Sequence, residues 1–277
     1  MRSLTLKLCL MAALSSLSAA STSPAAILVG VEFDTGNLYA VSTTDAGLTL
    51  IGDTGLSDVG ALEFNPHDGF FYATTTGASA ALYRIDLSSQ LDEINSVSLV
   101  GELGIFNFEG GLAFSPEGTA YGVNEGVLNI PSLYTIDLVT GVADIVASMD
   151  ERHDLAGLAW RSDGFLIGLD STEQDLVTID PADAALDIIA GVLPTIGGVG
   201  GMTLLDGVGY FVTAGPGGQR PGTNALYSFD PFTGQQTFIG DFDDVIAGVG
   251  LAGLSIVPEP ASLLLLGIGG LGLLRRK

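Results

Sequence analysis

The residues best suited to chemistry form one short polar run in the middle of the chain. One of only two histidines, His153, stands between Arg152 and Asp154, and Glu151 completes the run. Neighbouring acids can orient an imidazole so that it acts as a general base or as a ligand. No serine, cysteine or metal-ligand spacing accompanies the run, so a solvated polar loop is the alternative interpretation. We therefore predict ligand binding, and no catalytic role, for Arg152, His153 and Asp154.

A second set of candidate residues lies nearer the C-terminus. Arg220 lies in the Gly- and Pro-rich segment 215–222 and is a rare cation in an acidic chain, so it suits a carboxylate or a sulfate. A flexible linker would explain the same segment. Asp241, Asp243 and Asp244 offer clustered hard oxygens for Ca²⁺, although they do not match an EF-hand loop. No other cofactor is predicted, because the sequence contains no P-loop, Rossmann fingerprint or zinc-protease helix.

The element that positions these residues is a strand motif of the form Leu-Tyr-x-Ile-Asp. Its copies start at residues 82, 133, 176 and 226, and a weaker copy starts at residue 38. Alternating apolar and polar residues followed by a turn-forming Asp predict a half-buried β-strand in each copy. A spacing of 43 to 51 residues between copies is typical of the blades of a β-propeller.

Three further strands accompany each copy of the motif. A Gly-Leu-Ala-Phe strand comes first, a second strand follows a Gly-containing turn, the motif is third, and a fourth strand ends near residues 51, 100, 146, 189 and 239. The first repeat lacks its leading strand, and residues 253–256 supply one at the far end. The sequence therefore predicts an all-β, five-bladed propeller over residues 27–256, in which the N- and C-terminal strands close one four-stranded blade.

Residues that recur from blade to blade are predicted to be structural. The motif tyrosines are expected to pack between blades, and the motif aspartates to cap tight turns through their side chains. These aspartates are Asp86, Asp137, Asp180 and Asp230. The longer and more variable connections all fall at one end of the ring, which is where we expect a binding site. Asp58, Glu109 and Asp154 precede first strands and are expected to surround the mouth of a central channel.

The charge of the chain is strongly one-sided. Between the basic termini lie four arginines, no lysine and all 32 acids, a balance of −28. Such a body repels nucleic acid and anionic lipid, and it attracts cations or basic partners. Nucleic-acid binding is therefore excluded, whereas a merely solubilising surface would explain the same charge.

The N-terminus has the features of a signal peptide. Residues 1–20 comprise a basic start, an apolar run and a small-residue end, Ser-Ala-Ala. Signal peptidase is therefore a predicted partner. The only cysteine, Cys9, leaves with this segment, so the exported chain can form neither a disulfide nor a Cys-ligated metal site.

The C-terminus, residues 257–277, combines three features in order. Pro258, Glu259 and Pro260 are followed by an apolar segment and a terminal Arg-Arg-Lys cluster. A helix over residues 261–274 would be about 21 Å long, which is short for a hydrocarbon core of about 30 Å. Basic residues after it favour a cytoplasmic C-terminus with the body outside. This end resembles the PEP-CTERM sorting tail.

That resemblance implies export and processing. In the family, the Pro-Glu-Pro motif is read by an exosortase, and the chain is held at the inner membrane in transit before it reaches the cell surface or the exterior. The blade residues resemble secreted bacterial propellers of the NHL and quinoprotein-like kind. We expect a non-enzymatic binding or matrix protein that meets exopolysaccharide or another exported protein through its longer loops. The alternative is a glycan-active lyase or hydrolase that uses His153 and neighbouring acids.

Overall fold

The computed structural model describes residues 27–108, 110–124, 131–149, 153–171, 173, 175–191, 198–214, 224–242, 245–246 and 250–256. Within these ranges the chain forms twenty β-strands and no helix. Accordingly, none of the described residues belongs to a helix long and apolar enough to cross a membrane. The predicted signal peptide and sorting segment lie outside the described ranges.

The strands form five four-stranded sheets, which are the blades of the ring. Blade 1 contains β1 (Ile27–Glu32), β2 (Asn37–Ser42), β3 (Leu48–Asp53) and the last strand of the chain, β20 (Leu251–Ile256). Blade 2 contains β4 (Val59–Asn65), β5 (Phe70–Thr75), β6 (Ala81–Leu87) and β7 (Ile94–Glu102). Blade 3 contains β8 (Gly111–Phe114), β9 (Ala120–Asn124), β10 (Ser132–Ile136) and β11 (Ala143–Ser148). Blade 4 contains β12 (Leu155–Trp160), β13 (Leu166–Asp170), β14 (Asp175–Ile179) and β15 (Leu186–Gly191). Blade 5 contains β16 (Gly198–Leu205), β17 (Val208–Ala214), β18 (Ala225–Phe229) and β19 (Gln236–Asp241).

The predicted five-bladed propeller and its closure are confirmed. The first and last strands are antiparallel neighbours in blade 1, with Leu28 opposite Ile256 and Gly30 opposite Leu254. The connections from second to third strands and from one blade to the next lie at one end of the ring, which we call the loop face. The other connections lie at the opposite end, which we call the turn face. Both Ile27 and Ile256 are at the turn face, because β1 runs away from that face and β20 runs towards it.

The core of the ring is divided into five apolar clusters, one between each pair of neighbouring blades. The cluster between blades 2 and 3, for example, joins Leu82 of the motif strand and Leu103, which follows β7, to Tyr134 of the next blade. This arrangement follows from the strand pattern, since a sheet with apolar residues on both faces must bury each face against another sheet. The motif tyrosine Tyr134 is 1% exposed, as packing between blades requires.

The first two residues of the motif, Leu-Tyr in four blades and Leu-Val in blade 4, are the site of a β-bulge in all five blades. The register between third and fourth strands shifts between Leu82 and Tyr83 in blade 2 and at the equivalent pair in every other blade. The residues left unpaired are Ile51, Val100, Val146, Ile189 and Ile239. These are the residues at which the sequence predicted the fourth strands to end. The strands instead continue for two residues past the bulge, which increases their twist against the next blade.

The bulge also accounts for a ring of exposed apolar side chains on the outer strands. The residue before each bulge lies opposite the motif tyrosine or its equivalent, as Leu99 does with Tyr83 and Phe238 with Tyr227. The rings of Tyr227 and Phe238 meet edge to face, with 5.4 Å between centroids. Such cross-strand pairs stabilise a sheet even when one partner is half exposed. We therefore assign these outer residues to the fold.

The centre of the ring is closed. A Cβ placed on Gly111 would lie 2.4 Å from the backbone nitrogen of Leu158, and one on Gly253 would lie 2.4 Å from that of Leu62. The innermost strands therefore touch through their backbones, and the space along the axis has no volume that a water molecule could occupy. The expectation of a central channel is wrong for this level of the ring, because glycines on the first strands let the strands converge.

The turn face is built from repeated short turns. The side chains of Asp137, Asp180 and Asp230 each accept a hydrogen bond from the backbone nitrogen two residues on, at 2.7, 2.8 and 2.8 Å, which confirms the predicted caps. Asp86 does not follow this rule, since it lies inside β6 opposite Ser96, and Ser88 caps the longer turn that follows. The earlier expectation for Asp86 is therefore wrong.

Polar contacts on this side join neighbouring blades. The guanidinium of Arg161 holds both carboxylate oxygens of Asp163 at 2.8 Å and donates to the carbonyl of Pro231 in the next blade at 2.9 Å. Between blades 1 and 2, the hydroxyl of Ser255 donates to Oε1 of Glu63 at 3.2 Å. Oε2 of Glu63 is buried and has no hydrogen-bond partner among the described residues. Burial raises the pKa of Glu63 well above the usual value for a glutamate.

Candidate functional site

The structure describes only part of the predicted site. His153 and Asp154 lie on the loop face, immediately before β12, and Asp241 is the exposed last residue of β19. The remaining candidates are outside the described ranges: Arg152, Arg220, Asp243, Asp244, Pro258, Glu259 and Pro260. Ligand binding by Arg152 and Arg220, and a Ca²⁺ site at the three aspartates, therefore stay predictions. Within the described residues, no group of three His, Cys, Asp or Glu side chains is placed to hold a metal ion.

His153 is oriented by a carboxylate that is distant in the sequence. Nδ1 of His153 contacts Oδ2 of Asp170, the last residue of β13, and the Asp170 side chain is only 1% exposed. If the Asp170 carboxylate accepts this hydrogen bond, Nδ1 is the donor, and a neutral imidazole then carries its lone pair on Nε2. The sequence predicted an orienting acid next to His153, whereas the fold supplies one seventeen residues away.

The bonds around Asp170 fix this corner of blade 4. Its Oδ1 accepts from the backbone nitrogens of Asp154 and Glu173, each at 3.3 Å. Asp154 in turn contacts the hydroxyl of Ser171 through Oδ2. Oδ1 of Asp154 is buried and has no hydrogen-bond partner among the described residues. Asp154 is thus held within the loop by its neighbours in blade 4.

A groove opens beside His153 between blades 3 and 4. It has a volume of about 510 Å³, and its walls include Met149 and Ile188 as apolar residues and Ser148, His153 and Asp183 as polar ones. This volume is within the range of small-molecule pockets. The groove and the oriented imidazole together are the observation that favours an enzyme among the two functions considered from the sequence.

Two exposed aromatic side chains lie together on the loop face, between blades 2 and 3. Phe106 is 40% exposed and Phe108 is 43% exposed. Their rings are nearly parallel, with 6.5 Å between centroids and 11° between planes. Sequence reasoning placed this segment among the variable loops but did not single out either ring. The signal was the alternation Phe-Asn-Phe, which predicts two side chains on one side of an extended segment.

The residue between the two rings locks the segment to the ring. Asn107 is 1% exposed; its Nδ2 donates to the carbonyl of Thr75 at 3.1 Å, and its Oδ1 accepts from the hydroxyl of Tyr134 at 3.3 Å. Its backbone forms a β-bridge with Gly77. Nδ2 of Asn124 donates to the carbonyl of Phe106 at 2.8 Å. Both rings are therefore presented by a segment with fixed backbone.

Asn124 and Asp170 belong to one repeated structural position. Each is the last residue of a second strand and lies opposite the first residue of the third strand. The oxygen of Asn124 accepts from the backbone nitrogen of Ser132 at 3.0 Å, and in blade 5 Thr213 accepts from that of Ala225 at 3.1 Å. A polar acceptor at this position binds the backbone at the start of the third strand. Asp170 fills the same position with a charge, which is why His153 finds a partner there.

The loop face is acidic throughout the part that the structure describes. Its exposed acids are Asp34, Asp53, Asp58, Glu102, Glu173 and Asp241. The two arginines among the described residues are both near the turn face: Arg161 lies in the first turn of blade 4, and Arg84 lies over the ring of Phe70. The described part of the face that carries the aromatic pair thus repels anions, whereas Arg152 and Arg220 lie outside it.

The fold and the motif that follows it in the sequence together define the class of protein. It is a five-bladed β-propeller followed by a PEP-CTERM protein-sorting motif, which matches residues 257–277. That motif marks an exported protein that passes through a membrane-anchored stage and is processed by an exosortase-type sorting enzyme. Residues 29–211 match a family described as a repeat of unknown function (DUF6923), and the chain belongs to this family.

Solved structures similar to the chain share its fold at low sequence identity. A structure titled as a nidogen/laminin complex is 13% identical over 85% of this chain and 87% of that chain, with a TM-score of 0.53. A protein of unknown function from Bacteroides thetaiotaomicron is 15% identical over 84% and 62%, with a TM-score of 0.54. The PQQ-bound aldose sugar dehydrogenase of Streptomyces coelicolor is 14% identical over 76% and 77%, with a TM-score of 0.51. No curated protein is detectably similar to the chain.

Proposed function

We propose that the propeller is a non-enzymatic binding module of the cell surface or extracellular matrix, and that its loop face binds exopolysaccharide. The observation that carries this proposal is the exposed pair Phe106 and Phe108, held on a fixed backbone at the loop face. Exposed aromatic rings on a rigid frame contribute binding area at little cost in conformational entropy. The close approach of the innermost strands agrees with the proposal, because at that level the described residues leave no space along the axis for a ligand.

The test is size-exclusion chromatography with light scattering on the full chain in a mild detergent, mixed with the producing organism's own exopolysaccharide. We expect protein and polymer to elute together with the polymer mass unchanged. Addition of Ca²⁺ or a chelator tests the predicted contribution of Asp241, Asp243 and Asp244. Separate elution under both conditions would overturn the proposal.

A second candidate, a glycan-active lyase or hydrolase, is supported by the His153–Asp170 pair beside the 510 Å³ groove. An imidazole whose Nδ1 is held by a buried carboxylate has Nε2 available as a general base. In the same experiment, this candidate requires a polymer mass that falls with time. It also requires that the fall stop in the His153→Ala chain, which would replace the binding proposal.

A further inference from the structure

Two properties of the loop face together select the class of its ligand. Phe106 and Phe108 supply an apolar platform, and the same face carries six exposed acids in the described part of the chain. We infer that the ligand is a polysaccharide with free amino groups, whose sugar rings stack on the two phenylalanines while its ammonium groups are attracted to the acids. This inference rests on the proposed function and narrows it to one kind of glycan.

The aromatic pair favours a sugar over a small ion. A pyranose ring presents one face of C–H groups, which packs against the apolar face of an aromatic ring. Because the planes of the two phenylalanines differ by only 11°, both rings can meet one extended chain in the same orientation. Asn107 and Asn124 keep the backbone of this segment fixed, so little ordering is required when the ligand binds.

The charge of the face decides between glycan classes. Uronate and sulfate polymers would meet acids with no described arginine or lysine beside them, and such like-charge contacts oppose association. A neutral glycan would gain only the stacking contribution. An amino-sugar polymer gains both, and its attraction to the face should weaken as salt is added. A basic polypeptide would share the electrostatic part but offers no repeating ring for the phenylalanines.

The experiment compares three oligosaccharides of equal length by calorimetry with the full chain, in a mildly acidic buffer that protonates the amino groups. They are a glucosamine oligomer, its N-acetylated form and a galacturonate oligomer. We expect the glucosamine oligomer to bind most tightly, the acetylated form more weakly and the galacturonate not at all. Equal or tighter binding of the galacturonate would overturn the inference, as would equal binding of the acetylated form at low salt.

Substitutions separate the platform from general charge attraction. Phe106→Ala and Phe108→Ala should each weaken glucosamine binding about tenfold, which corresponds to about 1.4 kcal/mol, because each removes one of the two ring faces. Phe165→Ala is the matched control, because Phe165 is 37% exposed but lies on the turn face. Unchanged affinity in both loop-face variants would overturn the inference.

Two further outcomes distinguish the inference of an amino-sugar ligand from the proposed function, which is exopolysaccharide binding. If the organism's own exopolysaccharide binds but the glucosamine oligomer does not, the ligand class is wrong and the binding function stands. If neither binds, both fail. Competition by polylysine that shows the same dependence on Phe106 and Phe108 would replace the glycan with a basic protein partner.

Discussion

Asn107 offers the sharpest test of how the loop face is built. In Asn107→Ala the side chain loses its bonds to the carbonyl of Thr75 and the hydroxyl of Tyr134, which is 1% exposed. Each buried polar group left without a partner costs about 1–3 kcal/mol, so we expect a loss of about 2–4 kcal/mol in the free energy of unfolding. Urea unfolding with an unchanged m-value measures this loss. We also expect weaker glycan binding, because the backbone that presents Phe106 is no longer fixed.

A double-mutant cycle shows whether the hydroxyl of Tyr134 causes part of that loss. Tyr134→Phe removes the hydroxyl that Asn107→Ala leaves unpaired, so the double variant should be about 1 kcal/mol more stable than the sum of the single losses predicts. Asn95→Ala, at an exposed position of β7, is the control and should change stability by less than about 0.5 kcal/mol. A loss in Asn107→Ala as small as that of the control, or strict additivity in the cycle, would refute the reasoning.

Three further predictions concern the ring itself. Gly141→Ala should destabilise the chain by more than about 3 kcal/mol, because Gly141 has a positive φ and its new Cβ would lie 2.6 Å from the carbonyl oxygen of Gly101. Glu63→Gln should make the free energy of unfolding less dependent on pH and raise it at neutral pH. Burial raises the pKa of Glu63 in the folded chain above its value of about 4.3 in the unfolded chain. The contribution of Glu63 to the free energy of unfolding is therefore fully present below about pH 4.3, and it is lost as the pH rises towards the folded pKa. Arg161→Lys should cost about 1–2 kcal/mol, since a lysine cannot reproduce the paired bonds to Asp163.

Each of these predictions has an outcome that would contradict it, and two of them have a matched control variant. Gly164→Ala also introduces a side chain at a positive φ but meets no atom within 4 Å, so it should cost clearly less than Gly141→Ala. Equal losses would contradict the contact argument. For Glu63→Gln, urea midpoints across the range from acid to mildly alkaline pH should diverge from wild type as pH rises, and parallel curves would contradict it. For Arg161→Lys, the control is Arg84→Lys, and a larger loss at Arg84 would contradict the assigned contact.

The architecture could be predicted from the sequence because its signals are periodic. The Leu-Tyr motif and the Gly-Leu-Ala-Phe strands recur from blade to blade, and strand β20 completes the blade that β1 begins. The number of repeats therefore predicts the number of blades in the closed ring. The bulges could not be predicted, since alternation identifies a strand but not the register of its neighbour. The strands therefore extend two residues beyond Ile51, Val100 and their equivalents.

The site was predicted only in part, because its contacts join residues that are distant in the sequence, and no local pattern identifies such pairs. His153 was chosen for its residue type, but its partner Asp170 lies at the end of another strand, in a position that other blades fill with Asn or Thr. The alternation Phe-Asn-Phe places Phe106 and Phe108 on one side of an extended segment but does not say which side faces solvent. The burial of Asn107 and its hydrogen bonds to Thr75 and Tyr134 turn both rings outward.

The closure of blade 1 gives the ring a direction relative to the cell. Ile256 ends β20 at the turn face, and the sorting motif begins at residue 257 with no spacer between them. We therefore expect the turn face to be the side nearest the bilayer during membrane-anchored transit, with the loop face and its aromatic pair directed away from it. An exosortase would then reach its motif next to β20, the strand that closes the ring, so we expect closure of blade 1 and processing to be coupled.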